Sequence, residues 1–149
     1  MLGFLPDTSC IVAAVCTWHE HHDRAAEEIE RRLSRGEKMI VAAPALVEAY
    51  AVLTRLPPPH RLSPADTLAL LEANFMRATR IIALEGKSYR TLLRGAPDEG
   101  ITGGRIYDVV IAACVFKAKA AVLLTFNESH FLPFVERGME VVVPGKGRL

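Results

Sequence analysis

Hydrophobic positions fall along this chain in two rhythms. Short, wholly apolar runs alternate with longer stretches in which apolar residues recur every three or four positions. The first rhythm marks strands buried on both faces, and the second marks helices with one face on a core. Leu2–Leu5 predicts a first strand, stopped by Pro6, and Thr8 to about Thr17 a helix with Thr8 or Ser9 as N-cap. His21–Arg35 predicts a second helix, with Ala25, Ala26, Ile29 and Leu33 on its apolar face and Gly36 ending it. Met39–Ala43 follows as a strand, and Pro44 opens a helix through about Arg55. Pro57-Pro58-Pro59 reads as an inter-helix turn. Ser63-Pro64-Ala65-Asp66 joins a cap, a first-turn proline and a first-turn acid, and starts a helix to about Ala78. Beyond it the pattern gives strand Arg80–Leu84, short helix Ser88–Arg94, loop Gly95–Gly104 and long helix Arg105–Ala118. Strand Val122–Thr125, short helix Glu128–Glu136 and a last strand Val141–Val143 complete the chain.

Alternating strands and helices, with apolar strands, predict an α/β fold: a parallel-sheet sandwich with helices on both faces. No repeat, low-complexity tract or linker divides the chain, so residues 1–149 are expected to form one domain. In such sheets a site lies beyond the carboxyl ends of the strands.

Composition narrows the function classes. Half of the residues are hydrophobic and 23% are charged, which excludes disorder as the main state. The formal net charge is +1, so no global field draws the chain to nucleic acid or membrane, and any RNA contact must use a local patch. Residues 1–18 lack a basic start and do not read as a signal peptide, and no segment reaches the ~20 apolar residues of a membrane span. Cys10, Cys16 and Cys114 sit in apolar runs and are expected as buried free thiols in a reducing cytoplasm.

The acids carry the chemical signal. Asp7 is the only charged residue between Met1 and Trp18, Glu48 the only one between Met39 and Thr54, and Asp108 the only one between Ile106 and Phe116. An isolated carboxylate in an apolar stretch is costly unless it finds a partner or a metal. The predicted elements set all three on one rim of the sheet. An all-oxygen pocket there suits Mg²⁺ or Mn²⁺, which can polarise a phosphoryl oxygen and activate water. Structural roles stay open for Asp7 as an N-cap and for Asp108 as a first-turn acid, whereas Glu48 lies past the first turn. Phosphate-loop, dinucleotide, nucleophile-elbow and zinc motifs are absent.

Four segments then resemble the motifs of PIN-domain ribonucleases, most closely the toxins of VapBC-type toxin–antitoxin systems. They are Leu5-Pro6-Asp7-Thr8-Ser9; Pro44 to Tyr50, continued by Val52-Leu53-Thr54-Arg55; Gly103 to Ala113; and Leu123 to Phe131. The resemblance spans essentially the whole chain. It implies a Mg²⁺- or Mn²⁺-dependent endoribonuclease in which Asp7 and Asp108 are the main metal ligands. Glu48 would complete the acidic set, directly or through a water, and Asn127 would orient a water or hold the metal through one. It further implies a tRNA, rRNA or mRNA substrate, a cognate antitoxin protein, a homodimer and a cytoplasmic setting. One departure stands out: His130 occupies a place where the family often has an acid, and the preferred reading is an exposed, innocent substitution. An inert PIN-like module binding RNA or protein is the alternative, and a phosphoacceptor at Asp7 is a third.

Three further groups of residues are singled out. Arg55 and Arg105 are the favoured phosphate contacts among Arg61, Lys87, Arg94, Lys117 and Lys119. Tyr107 is expected in the core. Trp18-His19-Glu20-His21-His22 is expected as a surface helix start, with a soft-metal site or a groove wall as alternatives.

Overall fold

A computed structural model describes residues 3–146. Leu2, expected to open the first strand, lies outside the described residues. The strands are β1 (Gly3–Pro6), β2 (Lys38–Ala42), β3 (Arg80–Ile82), β4 (Val122–Leu124) and β5 (Glu140–Val142). They form one parallel sheet in the order β3-β2-β1-β4-β5. The helices are α1 (Thr8–Val15), α2 (His22–Ser34), α3 (Ala43–Thr54), α4 (Pro64–Leu71), α5 (Gly86–Gly95), α6 (Arg105–Ala118) and α7 (Glu128–Val135).

The order explains why both faces are covered. The chain steps from β1 to β2 to β3 toward one edge, then returns across the sheet to β4 and β5. Parallel crossovers are right-handed, so the two directions of travel put their helices on opposite faces. The strands in the middle must then be apolar throughout. Phe4, Leu5, Val41, Leu123 and Leu124 are fully buried, each contributing roughly 1.5–3 kcal/mol of burial. Gly3 permits the close β1–β2 approach, because a Cβ there would meet Ile40 Cδ1 at 2.8 Å.

Several expected boundaries move, for local reasons. Asp7, not Thr8 or Ser9, is the N-cap of α1: it has extended backbone, and its carboxylate accepts from the Cys10 amide. Ser63 caps α4 as expected, accepting from Asp66 N. The single helix expected to Ala78 instead passes into a π-helical turn over Glu72–Met76. Leu71 and Phe75 of this segment are core, while Leu68 is half exposed. Helix α5 starts at Gly86, two residues early. Cys10, Cys16 and Cys114 are buried and free. Among the described residues no helix is long and apolar enough to cross a membrane.

Candidate active site

The sheet reverses its direction of winding at β1, which is flanked by β2 and β4. The crevice where β1 and β4 end is therefore where a parallel sheet of this kind binds ligands. Register determines what stands there. Pro6 pairs with Leu124, so the next residues, Asp7 and Thr125, come side by side. The Asp7 amide donates to Leu124 O at 2.9 Å, which continues the ladder one step past the strand.

Asp7 is 4% exposed, and its carboxylate is held from three directions. Oδ1 accepts from Ser9 Oγ at 2.6 Å and from the Cys10 amide at 3.1 Å. Oδ2 accepts from Thr125 Oγ1 at 2.5 Å. The hydroxyls are themselves anchored, Ser9 Oγ by the Phe126 amide at 3.0 Å and Thr125 Oγ1 by the Asn127 amide at 2.9 Å. These donors are all neutral. Burial dominates and pushes the Asp7 carboxyl up to about 6, against the lowering effect of Ser9, Thr125 and Cys10; the charge of Asp108 pushes it further up.

Asp108 arrives from the other side, on the first turn of α6. Burial raises its carboxyl as well, opposed by His130 and Arg105. His130 Nδ1 lies 3.1 Å from Asp108 Oδ2. Arg105 donates to the His130 carbonyl at 2.9 Å, tying α6 to α7. The reading of His130 as an innocent substitution is thus corrected: the imidazole faces an acid of the cleft. Arg105 acts through the same fastening, whereas Arg55 lies in a neighbouring groove.

Asp7, Glu48, Asp108 and Asn127 line one cleft of about 380 Å³, together with Ser9, His19, His21, Tyr107 and Phe126. Glu48 reaches it from α3 and is partly buried; Asn127 is exposed at the start of α7. The three carboxylates share the cleft without closing into a cluster. Among the described residues no group of three or more His, Cys, Asp or Glu could hold a metal ion as placed. Of the Trp18–His22 segment, His19 and His21 are cleft wall. Tyr107 is corrected from core to surface, at 61% exposure. An apolar groove of about 670 Å³ adjoins the cleft and shares Glu48, Val52, Tyr107 and Ile111 with it, adding Val47, Arg55 and Tyr89.

The donor chemistry fits a hard divalent cation. An ionised carboxylate offers about four acceptor sites, and three are used at Asp7. Among the described residues no guanidinium or ammonium is paired with Asp7, and carboxylate oxygen is what Mg²⁺ and Mn²⁺ prefer.

Sequence and structure comparisons fall in line with this geometry. The family described as PIN domain matches residues 4–132. Ribonuclease VapC40 of Mycobacterium tuberculosis is 44% identical over 116 residues, covering 78% of each chain. Ribonuclease VapC27 of the same species is 32% identical over 131 residues, covering 88% of this chain and 82% of its own. Among solved structures, VapBC-1 from nontypeable Haemophilus influenzae aligns with a TM-score of 0.67 at 14% identity, over 97% of this chain and 100% of that one.

Proposed function

This chain belongs to the PIN-domain family and, within it, to the VapC ribonucleases, and from that premise we propose that it is a divalent-metal-dependent endoribonuclease, the toxin of a toxin–antitoxin pair. The observation that carries the reading is the meeting of buried Asp7 with Asp108 and Glu48 in the crevice at the switch point of the sheet. Asp7 and Asp108 would hold the cation, and Glu48 would complete the acidic set directly or through a water. Bound there, Mg²⁺ or Mn²⁺ supplies Lewis-acid polarisation of the phosphodiester and a more acidic attacking water.

The chain's own residues prepare that chemistry. Ser9, Thr125 and the Cys10 amide fix the orientation of the Asp7 carboxylate before substrate arrives, so no reorganisation is needed during reaction. Asn127, exposed beside Thr125, would orient a water with its neutral amide. His130 Nδ1 lies against Asp108 Oδ2, where a protonated imidazole would compete with the cation. Arg55, in the adjoining groove, is the side chain best placed to meet a phosphate of a tRNA, rRNA or mRNA substrate in the cytoplasm. A protein antitoxin seated in that groove would cover Val47 and Tyr107, which are 71% and 61% exposed. A homodimer is expected from the same family membership.

Purified protein incubated with tRNA and rRNA, in Mg²⁺, Mn²⁺ or EDTA and beside folded Asp108→Asn, tests the reading. Discrete products that need the metal and vanish in the variant are expected. Absence of both cleavage and Mn²⁺ binding would favour an inert binding module instead.

A further inference from the structure

Five aromatic rings run in an unbroken row from the protein surface into the carboxylate cleft. His60 lies on Trp18 with centroids 4.0 Å apart and planes 24° apart. Trp18 meets His19 at 5.8 Å, and His19 meets His21 at 5.5 Å. His21 is stacked on Phe126 at 4.5 Å and 16°. The inner end of the row is tied to the chemistry, because the Phe126 amide donates to Ser9 Oγ and Ser9 Oγ donates to Asp7. His19, His21 and Phe126 line the cleft itself, and the outer end is open, with Trp18 47% exposed.

Tryptophan is highly buried on average. This one is stacked on an exposed histidine and left half in solvent. A cationic group accompanies the row: the Arg24 guanidinium lies 5.7 Å from the Phe126 ring centroid and also contacts His21 Nδ1. Glu20 is the acid of the segment; it is mostly exposed, lies at the rim of the same cleft and has an oxygen 3.4 Å from His21 Nε2. A row of rings, stacked at its two ends and tilted by 41° and 47° in the middle, with a guanidinium beside it, suits the unpaired bases and phosphates of a single nucleic-acid strand.

We propose that this row is a base-stacking track for single-stranded RNA, with Trp18 positioning the strand that leads to the scissile phosphate. The proposal rests on the ribonuclease reading and adds the residues that position the strand outside the carboxylates. Bases in a duplex have their faces covered by neighbouring bases, so a duplex cannot use the track.

Trp18 is the sole tryptophan of the chain, so intrinsic fluorescence reports on this place alone. The probe is an oligouridine, titrated without metal into full-length Asp108→Asn, against the same strand annealed to oligoadenylate. The single strand is expected to quench Trp18 and to bind about tenfold more tightly than the duplex. By anisotropy of a labelled strand, Trp18→Ala is expected to weaken binding about tenfold and Trp18→Phe to keep most of it. In cleavage by the otherwise wild-type chain, Trp18→Ala should raise KM by about the same factor and leave kcat within about twofold. His60→Ala, at the exposed end, is the second variant if Trp18→Ala does not fold, and it should lower affinity in the same sense. Equal affinity for single strand and duplex, or unchanged binding in the folded variants, would overturn the track. Binding is read without turnover, so the two readings fail separately. Strand-selective quenching in a protein that cleaves nothing would leave the track and remove the ribonuclease. Cleavage with no response from Trp18 would do the reverse.

Discussion

Among the described residues two acids are buried, Asp7 at 4% exposure and Glu28 at 1%, and they are served in opposite ways. Glu28, on α2, is gripped by Arg31 at 2.6 Å and Arg32 at 2.9 Å, and Arg32 continues to Glu37 at 2.9 Å. Its charge is answered inside the fold. Asp7, at the end of β1, is given hydroxyls and an amide, with a second acid close enough to raise its pKa. Desolvating a carboxylate is expensive, and neutral donors repay less of it than a guanidinium does. The arginines that answer Glu28 stand on its own helix. Asp7 is answered by neutral donors, which suits it to the external cation proposed for the cleft.

The sharpest way to break this contrast is to neutralise each acid in turn. Asp7→Asn and Asp108→Asn are expected to lower kcat/KM for RNA by roughly a thousandfold, about 4 kcal/mol, while the variants stay folded. Full activity in either folded variant would remove the metal assignment. Glu28→Gln should do the opposite. Breaking one side of a buried ion pair costs about 3–5 kcal/mol, so denaturant unfolding should show the loss, while cleavage per folded molecule stays at the wild-type rate.

The next prediction concerns pH. The folded pKa of Asp7, about 6, lies above the ordinary carboxyl value of 3.8. The native state therefore holds this proton more tightly than the unfolded chain does. The stability that Asp7 contributes is full below about pH 4 and is lost as pH rises through about 6, a span of about 3 kcal/mol at most. Metal-free protein should accordingly lose stability between those limits, and Asp7→Asn should flatten the slope. Added Mn²⁺ should restore stability above pH 6, where the carboxylate is ionised, and do little near pH 4. A metal-free wild type whose unfolding free energy is flat across this range would contradict the environment described for Asp7.

How the site could be read from sequence follows from the same physics. A carboxylate alone in an apolar run is visible as text, and Asp7, Glu48 and Asp108 stood out for that reason. The parallel sheet was visible in the apolar strands, so the rim holding these acids could be assigned. What completes the site was hidden by distance along the chain. Thr125 reads as the last residue of a strand until register sets it beside Asp7. His130 reads as a surface residue of α7 until Arg105 fastens α7 to α6. Thr8 or Ser9 and also Asp7 were open as the N-cap of α1; Asp7 takes that place through a local bond, its carboxylate accepting the Cys10 amide. Tyr107 was misplaced because it stands in a largely apolar stretch of α6, whereas its own helical position turns it to the groove.

Asn127→Ala separates charge from orientation within the cleft. Its amide is neutral and exposed, so its removal should cost about tenfold in kcat, near 1.4 kcal/mol, with no change in stability. A loss as large as that in Asp108→Asn would show that Asn127 does more than orient a water.

The smallest effect is expected at His130, and it tests whether Asp108 belongs with Asp7 or with Glu28. The His130 imidazole, when protonated, is the positive group in contact with Asp108, at 3.1 Å from Oδ2, and the Arg105 guanidinium acts on the same carboxylate from farther off. The pair is partly exposed, with 45% of the histidine side chain and 22% of the aspartate side chain open to solvent. Its strength is therefore that of a surface pair, about 0.5 kcal/mol. If Asp108 awaits an external cation, His130 competes weakly with it for Oδ2. His130→Ala should then lower the Mg²⁺ concentration for half-maximal cleavage by about twofold, and the gain should shrink as salt is raised. A rise in that concentration would mean that His130 holds Asp108 in place for the metal, in the manner of the arginines around Glu28.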